Sequence, residues 1–268
     1  MNESCILDER YTISGSQVSN YQRDGHLFLP QLLPSNVMPS WRQVISKAVD
    51  HYNTETRPLA ERDTYGKAFL QVFNLWTRDE AVRRFVLARR FAWVAAELMG
   101  VERVRIYHDQ ALFKEPGGGI TPWHQDQYYW PLDTRDTITM WIPLADVEEG
   151  MGMMEFVSGT HREAYIANQA ISDASEAFYR EYIGQHGHQP VGAKTARAGD
   201  ASFHAGWTLH RAMANQSSKR REVMTVIYFA DGARIDNPIR DETRGDLKAW
   251  LDNLPEGSLA NSSLNPVV

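Results

Sequence analysis

The stretch Thr121-Pro-Trp-His-Gln-Asp-Gln-Tyr-Tyr-Trp130 carries an imidazole and a carboxylate, His124 and Asp126, two positions apart. In a β-strand, residues i and i+2 project from the same face, so both side chains can reach one metal ion. A third ligand must then come from elsewhere in the chain. Two imidazoles and one carboxylate with open positions are the ligand set of non-haem Fe(II) oxygenases. Taken alone, the spacing is also compatible with a polar turn at a strand end.

The composition favours one domain that acts on a small molecule. The chain has 268 residues, 43% of them hydrophobic, which suffices for a single large core. There are 28 basic and 34 acidic residues, and no basic cluster offers a surface for nucleic acid or an anionic membrane. No apolar run approaches the roughly 18 residues needed to span a bilayer. The lone Cys5 and the absence of a signal-like N-terminal segment favour a cytoplasmic protein.

The order of apolar patterns predicts a mainly β fold with flanking helices. Apolar residues at helical spacing predict helices over 16–23, 34–52 and 78–99. Short apolar runs between turn formers predict strands over 26–29, 101–113, 137–143, 153–157, 201–204 and 222–230. Helices followed by many short strands favour a jelly roll, with helical support over about 16–100 and a β core over about 101–235.

Three segments interrupt this pattern. The polar stretch 53–67 is predicted to be a surface loop that could edge a pocket. Residues 172–187 return to helical spacing within the β region, so we expect an inserted helix that covers the site as a lid. The tail, about 255–268, is rich in Ser, Asn and Pro and is expected to be poorly ordered.

Two histidines compete for the third ligand position. His204 lies within an apparent strand and could be a core residue or could support a ligand. His210 lies just beyond that strand and is favoured by its position. Arg221 follows across a turn and can bind a carboxylate through two parallel N–H bonds, which lysine cannot do. The alternative for Arg221 is a surface ion pair within the charge run Lys219-Arg-Arg-Glu222.

Several motifs occur together in one order along the chain. They include Lys114-Glu-Pro-Gly-Gly-Gly followed by Pro-Trp-His-Gln-Asp, and they occupy 21–29, 112–131, 141–144, 156–162, 198–200 and 210–221. As a set they resemble the phytanoyl-CoA dioxygenase family over nearly the whole chain. The resemblance implies a double-stranded β-helix, the cupin-like jelly roll, and a dependence on Fe(II), 2-oxoglutarate and O2.

The resemblance also assigns roles to individual residues. It makes His124, Asp126 and His210 the iron ligands, and it makes Arg221 the partner of the distal carboxylate of 2-oxoglutarate. Two further residues, Gln110 and Trp141, lie where the family touches the co-substrate. Many relatives have Ser where this chain has Ala212, so one hydroxyl contact to the co-substrate is expected to be missing. Because Asp126 is a carboxylate, the site is unlike that of the related halogenases, which have a small residue there.

The resemblance implies hydroxylation of a C–H bond of a small molecule, such as a natural-product or amino-acid-like intermediate, with release of succinate and CO2. Aromatic residues near the ligands, namely Tyr128, Trp130 and Trp207, are candidates for the substrate wall. Two other classes are possible: a jelly-roll binding protein without catalysis, and a cupin-like metal isomerase. Neither class needs Arg221.

Overall fold

The computed structural model describes residues 3–268. Its N-terminal part contains most of the helices: α1 (Glu3–Ile6), α2 (Gly15–Asp24), α3 (Met38–Tyr52), α4 (Thr64–Ala68), α5 (Glu80–Val86) and α6 (Arg89–Met99). Two more helices follow later in the chain, α7 (Asp173–Gln185) and α8 (Arg244–Trp250). Within the described range, every helix is too short or too polar to cross a membrane.

The strands form two antiparallel sheets. In chain order they are β1 (His26–Leu29), β2 (Leu70–Phe73), β3 (Val104–Lys114), β4 (Thr121–His124), β5 (Thr137–Pro143), β6 (Met154–Val157), β7 (Pro190–Val191), β8 (Ala201–Ala205), β9 (His210–Ala212) and β10 (Arg221–Ala230). The larger sheet has the order β1-β8-β5-β10-β3-β2, and the smaller has the order β4-β9-β6-β7. Neighbouring strands in each sheet are distant in sequence, as in a jelly roll.

Strand β5 shows how the larger sheet separates the core from the site. All seven of its residues are buried, so both faces are covered. Ile138, Met140 and Ile142 belong to the hydrophobic core that the helices share with this sheet. Thr139 and Trp141 project from the opposite face into a cavity. Because side chains alternate along a strand, one face of β5 packs in the hydrophobic core and the other lines the cavity.

The single helix predicted over 78–99 is two helices. Ala88 is extended, with φ −61° and ψ 122°, and it separates α5 from α6. Asp79 begins α5 because its carboxylate accepts the N–H groups of Ala81 and Val82. The change of direction brings the rings of Phe85 and Phe91 to 5.2 Å between centroids. Since apolar residues continue at helical spacing through the break, periodicity alone could not reveal it.

Two other predicted segments also differ from expectation. The polar stretch 53–67 is not only loop, because it contains a 3-10 turn at Leu59–Glu61 and most of α4. The tail is packed rather than loose: the N–H of Ile106 donates to Pro266, and the N–H of Val268 donates to Val104. The side chain of Asn265 is fully buried. Backbone pairing with β3 and one buried amide outweigh the polar composition of the tail.

Candidate active site

The H-x-D stretch lies where the two sheets face each other. His124 is the last residue of β4 and pairs with His210, the first residue of β9. Asp126 begins a 3-10 turn that follows at once. The Nε2 atoms of His124 and His210 lie 3.4 and 3.6 Å from Asp126 Oδ1. One ligand atom from each of the three residues lies within 4.8 Å of the others, so they face a common point.

Backbone carbonyl groups orient both imidazole rings. His124 Nδ1 lies 2.7 Å from the carbonyl oxygen of Pro122, and His210 Nδ1 lies 2.8 Å from that of Thr208. A ring that donates from Nδ1 presents the lone pair of Nε2 to the shared point, as a metal-binding histidine requires. Burial, followed by the neighbouring imidazoles, holds the pKa of His210 well below its usual value. The ring is therefore neutral and able to coordinate.

The two oxygens of Asp126 have different partners. Oδ1 faces the two histidines described above, whereas Oδ2 accepts the Thr139 hydroxyl at 2.9 Å and lies 3.1 Å from His204 Nε2. Burial by itself raises the pKa of Asp126, but the surrounding imidazoles of His210, His124 and His204 outweigh it and hold the pKa well below its usual range. The group is a carboxylate with one oxygen free for a metal. His204, which also lines the cavity, contacts the second oxygen of this carboxylate.

Arg221 is a buried cation that has no acidic partner among the residues that the structure describes. Its side chain is 1% exposed and lines the same cavity. The guanidinium donates to the carbonyl of Gly152, lies 5.6 Å above the Trp141 ring, and leaves Nε without a partner. The adjacent Glu222 pairs with Arg42 and Arg220 instead. The ion pair within the charge run therefore belongs to Arg220, and Arg221 is available to a carboxylate that enters the cavity.

A buried lysine lies behind this arginine. Lys114 pairs with Arg221 across β3 and β10, and its ammonium group donates to the carbonyl of Gly119. Burial, together with the charge of Arg221, lowers the pKa of Lys114 to about 6. Arg221 therefore remains the main positive charge at this end of the cavity at neutral pH.

The cavity has a volume of about 410 Å³ and joins the three potential ligands to Arg221. Gln110 and Trp141 also line it, as does Ala212, which contributes a methyl group and no hydroxyl. The Gln110 side chain is oriented by a 2.7 Å hydrogen bond from Gln71. The remaining wall includes six aromatic residues, namely Tyr65, Phe69, Phe73, Tyr129, Trp130 and Trp250.

The family model named phytanoyl-CoA dioxygenase (PhyH) matches residues 21–223. The chain belongs to the phytanoyl-CoA dioxygenase family. Its solved structural relatives include SnoK, a non-heme alpha-ketoglutarate-dependent carbocyclase from nogalamycin biosynthesis, with a TM-score of 0.79 and 25% sequence identity. The alignment covers 97% of this chain and 99% of SnoK. The predictions of the family and of the cupin-like jelly-roll fold are confirmed.

Sequence relatives of the PhyH chain are named for activities on small molecules. A probable alpha-ketoglutarate-dependent hypophosphite dioxygenase of Stutzerimonas stutzeri is 25% identical over 157 residues, which is 58% of this chain and 54% of that relative. The chain thus aligns with about half of that protein's length. A methylphosphonate hydroxylase of Gimesia maris is 23% identical over 88% of this chain and 86% of its own length. The prediction of an iron- and 2-oxoglutarate-dependent dioxygenase is confirmed at the level of the family.

The aromatic residues that the sequence suggested for the substrate wall are not all in the cavity of this PhyH protein. Trp130 lines it, but Tyr128 and Trp207 do not. The Tyr128 hydroxyl donates to Asn168, and both rings contact Tyr165. Because Asp126–Tyr128 is a 3-10 turn and not a strand, side chains no longer alternate there, and the cavity receives Tyr129 instead.

The predicted lid also occupies a different position. Helix α7 packs on β4, where Ser175 Oγ donates to the carbonyl of Trp123 at 3.0 Å. The side chain of Glu176 accepts the N–H of Trp123 at 3.1 Å and the guanidinium of Arg211 at 2.9 Å. Of the segment around α7, only the preceding Ile171 reaches the cavity. The helix therefore supports the strand that ends at His124 and does not cover the cavity.

Several cavity residues were missed by sequence reasoning. Tyr65, Phe69 and Phe73 lie in and just after the polar stretch, whose only signal was its possible place at a pocket edge. Asp246 and Trp250 lie on α8, four positions apart and hence on one helix face. Both are beyond residue 223, where the PhyH match ends.

Proposed function

We propose that this PhyH-family protein is a dioxygenase that uses Fe(II), 2-oxoglutarate and O2 to hydroxylate a C–H bond of a small molecule, releasing succinate and CO2. The observation that carries the proposal is the pairing of two features in one cavity. One is the set of three ligand atoms within 4.8 Å, and the other is a buried guanidinium that lacks an acidic partner within the described range 3–268. A binding protein without catalysis or a metal isomerase would have no need for the second feature.

The side chains at the common point fit iron. Two neutral imidazoles and one carboxylate are the donors of the facial triad found in non-haem Fe(II) oxygenases. His124, Asp126 and His210 would hold the ion, and carbonyl and hydroxyl partners fix their orientation. Bound iron, with 2-oxoglutarate and O2, supplies the oxidising power that breaks an unactivated C–H bond.

The protein positions the co-substrate through Arg221. The planar guanidinium can form two parallel hydrogen bonds with the distal carboxylate of 2-oxoglutarate. Trp141 lies under that guanidinium and limits its movement. Gln110 lines the same region, and Ala212 offers that carboxylate a methyl group and no hydroxyl.

The aromatic wall positions the substrate and excludes water. Tyr129 and Trp130 follow the ligand-bearing turn directly, so they hold a substrate close to the iron position. A reaction that generates a strong oxidant benefits from a dry, shaped cavity in which only the intended bond is within reach. Hydroxylation is the simplest outcome of this arrangement, and the carbocyclase activity in the name of SnoK marks ring formation as the second candidate.

The proposal is tested in two steps on the purified chain. Under anaerobic conditions, adding 2-oxoglutarate to the Fe(II)-loaded protein should produce a metal-to-ligand charge-transfer band that is absent from Asp126→Ala. Oxygen is then admitted with a panel of candidate small molecules, and succinate and oxidised product are quantified. A charge-transfer band followed by succinate formation that a substrate stimulates supports the proposal. Absence of the band in the iron-loaded wild type would refute it.

A further inference from the structure

The cavity contains a second carboxylate, far along the chain from the iron ligands. Asp246 projects from α8 into the cavity wall. Its Oδ2 accepts the hydroxyl of Tyr107 at 3.0 Å. Across the described part of the chain, no lysine or arginine forms an ion pair with it. The proposed hydroxylation has no use for a negative charge at this position.

Aromatic rings surround this carboxylate. Trp250, one helical turn after Asp246, stacks on Phe73 with centroids 5.0 Å apart and lies 5.1 Å from His108. Tyr107 packs on Trp130 at 5.3 Å. Phe73, Trp130 and Trp250 all line the cavity beside Asp246. A carboxylate among aromatic faces is the arrangement that proteins use to bind an organic cation.

Charge balance supports the same conclusion. At the iron end, two positive charges of Fe(II) and one of Arg221 equal the one negative charge of Asp126 and the two of 2-oxoglutarate. His108 adds no charge, since burial lowers its pKa to about 3. Burial raises the pKa of Asp246 to about 6, so the group is still mostly ionised at neutral pH. Arg211 also lines the cavity, but it is paired with Glu155 and Glu176 and does not compensate Asp246. The loaded cavity would thus keep the negative charge of Asp246 uncompensated, and an unpaired charge in a desolvated site is costly.

We propose that Asp246 is a specificity-determining residue that binds the protonated amine of an apolar substrate, with the stacked rings of Trp250 and Phe73 lying beside the same cation. The inference rests on the proposed function, because it names the substrate class of that cavity. The amine end would lie against α8, while the carbon to be oxidised extends toward His124 and His210. A substrate with only hydroxyl donors is the competing possibility.

Binding of matched probes tests the assignment without requiring turnover. Calorimetry would compare benzylammonium with benzyl alcohol, 2-phenylethylammonium with 2-phenylethanol, and 2-(2-naphthyl)ethylammonium with its alcohol. Each titration is run anaerobically on the Fe(II)-loaded protein, with and without 2-oxoglutarate. At least one ammonium probe should bind about tenfold or more tightly than its alcohol, equivalent to one desolvated ionic contact. That preference should be absent in Asp246→Asn and reduced in Trp250→Leu.

The matched control is Asp241→Asn. Asp241 lies five residues before Asp246, has a side chain that is 93% exposed, and pairs with Arg244 at 3.0 Å. The Asp241→Asn substitution also removes one negative charge near α8, and it should leave the ammonium preference unchanged. Circular dichroism would establish that each variant is folded. If Asp246→Asn does not fold, the ammonium preference of Trp250→Leu is compared with that of the wild type instead.

The possible outcomes separate this inference from the proposed function. Equal or weaker binding of the ammonium probe in all three pairs would overturn the cation assignment, as would a preference that survives in Asp246→Asn. Either result leaves the charge-transfer band of 2-oxoglutarate untouched. Conversely, absence of that band would refute the proposed function, while the titrations without 2-oxoglutarate would still decide whether Asp246 binds amines.

Discussion

At the scale of single residues, Asp126 shows how one side chain is divided between two tasks. Its Oδ1 faces His124 and His210, and its Oδ2 is held by Thr139 and His204. From the sequence, His204 and His210 were both possible third ligands. The structure gives them different places: His210 Nε2 lies 3.6 Å from Oδ1, whereas His204 Nε2 lies 3.1 Å from Oδ2. We therefore propose that His204 orients the carboxylate and does not bind iron.

This division predicts different iron affinities for two substitutions. His210→Ala should abolish iron binding because it removes a ligand. His204→Ala should weaken it by about 10 to 100-fold, the usual cost of losing a residue that orients a ligand. His204→Gln should recover part of that loss, because its amide can still donate to Asp126. Iron content and anaerobic Fe(II) titration measure the effect.

The exposed His186 on the C-terminal side of α7 provides the control, and His186→Ala should bind iron as the wild type does. Complete loss of iron in His204→Ala, with iron retained in His210→Ala, would reverse the two assignments.

A second prediction at this scale concerns Arg221. Removing one partner of a buried, hydrogen-bonded ion pair costs about 2 to 5 kcal/mol, or roughly 30-fold to several thousand-fold in affinity. Arg221→Ala should weaken 2-oxoglutarate binding by that factor while iron binding persists. Arg221→Lys should recover little, since an ammonium group has no planar fork. Titration of the charge-transfer band measures the 2-oxoglutarate affinity of both variants.

The comparison variant is Arg220→Ala, which removes the neighbouring partner of Glu222. It should leave 2-oxoglutarate affinity unchanged, because Arg220 pairs with Glu222 and Asp50 and does not line the cavity. An Arg221→Ala protein with wild-type affinity for 2-oxoglutarate would contradict the assignment of Arg221 to the co-substrate.

At the scale of elements, α7 connects the two ligand-bearing strands from behind. Glu176 is 5% exposed and bonds to the backbone of Trp123, next to His124, and to the side chain of Arg211, next to His210. The same guanidinium lies 4.7 Å from the Trp123 ring. A carboxylate that joins the residues flanking both ligands fixes the separation of β4 and β9.

Loss of this carboxylate should affect both stability and the metal. Glu176→Ala leaves the Trp123 N–H without its acceptor and removes one of the two carboxylates that Arg211 contacts, the other being Glu155. We therefore expect a loss of about 2 to 3 kcal/mol in the free energy of unfolding. Iron affinity should fall as well, because the ligand spacing is no longer fixed. Urea unfolding of the metal-free protein and Fe(II) titration measure the two effects.

Glu181→Ala changes an exposed glutamate on the same helix and should alter neither quantity. Limited proteolysis distinguishes a support from a mobile cover: cleavage within 173–185 should be slow and independent of 2-oxoglutarate. Strong protection that appears only with co-substrate would restore the lid hypothesis.

The sequence predicted elements well wherever one pattern had one structural meaning. The alternating strands β5 and β10 and the amphipathic α3 lie where the patterns placed them. The break at Ala88 was hidden because apolar residues continue through it at helical spacing. Tyr129, and not the predicted Tyr128, lines the cavity because a 3-10 turn begins at Asp126. The sequence of two adjacent aromatic residues does not indicate which one faces inward.

At the scale of the whole molecule, the C-terminal tail holds the substrate wall in place. The amide of Asn265 is fully buried and donates to the carbonyls of Ile106 and Trp250 at 3.1 Å each and to Tyr107 at 3.3 Å. One side chain therefore links the tail to β3 and to the end of α8, where Trp250 lines the cavity. The tail, β3 and α8 are thus joined by the hydrogen bonds of the Asn265 amide.

Asn265→Ala should loosen this contact without altering the iron site. Buried carbonyls that lose their donor cost about 1 to 3 kcal/mol, so thermal unfolding should occur at a lower temperature. Binding of the ammonium probes should weaken because α8 is less firmly held, whereas the affinity for 2-oxoglutarate should not change. Calorimetry and the charge-transfer titration measure these quantities separately.

The exposed Asn261, four positions earlier, supplies the control, and Asn261→Ala should match the wild type in both measurements. Equal losses of 2-oxoglutarate and probe binding in Asn265→Ala would indicate that the tail supports the whole fold and not the substrate wall alone.

The limit of the family match at residue 223 has an evolutionary consequence. The proposed iron ligands and Arg221 lie inside it, whereas Asp246, Trp250 and Asn265 lie outside it. A lineage could thus inherit the oxidation chemistry unchanged while drift in the last few dozen residues redirects it to new molecules. Grafting residues 231–268 between relatives would then transfer substrate preference as a unit, with the reaction itself left in place.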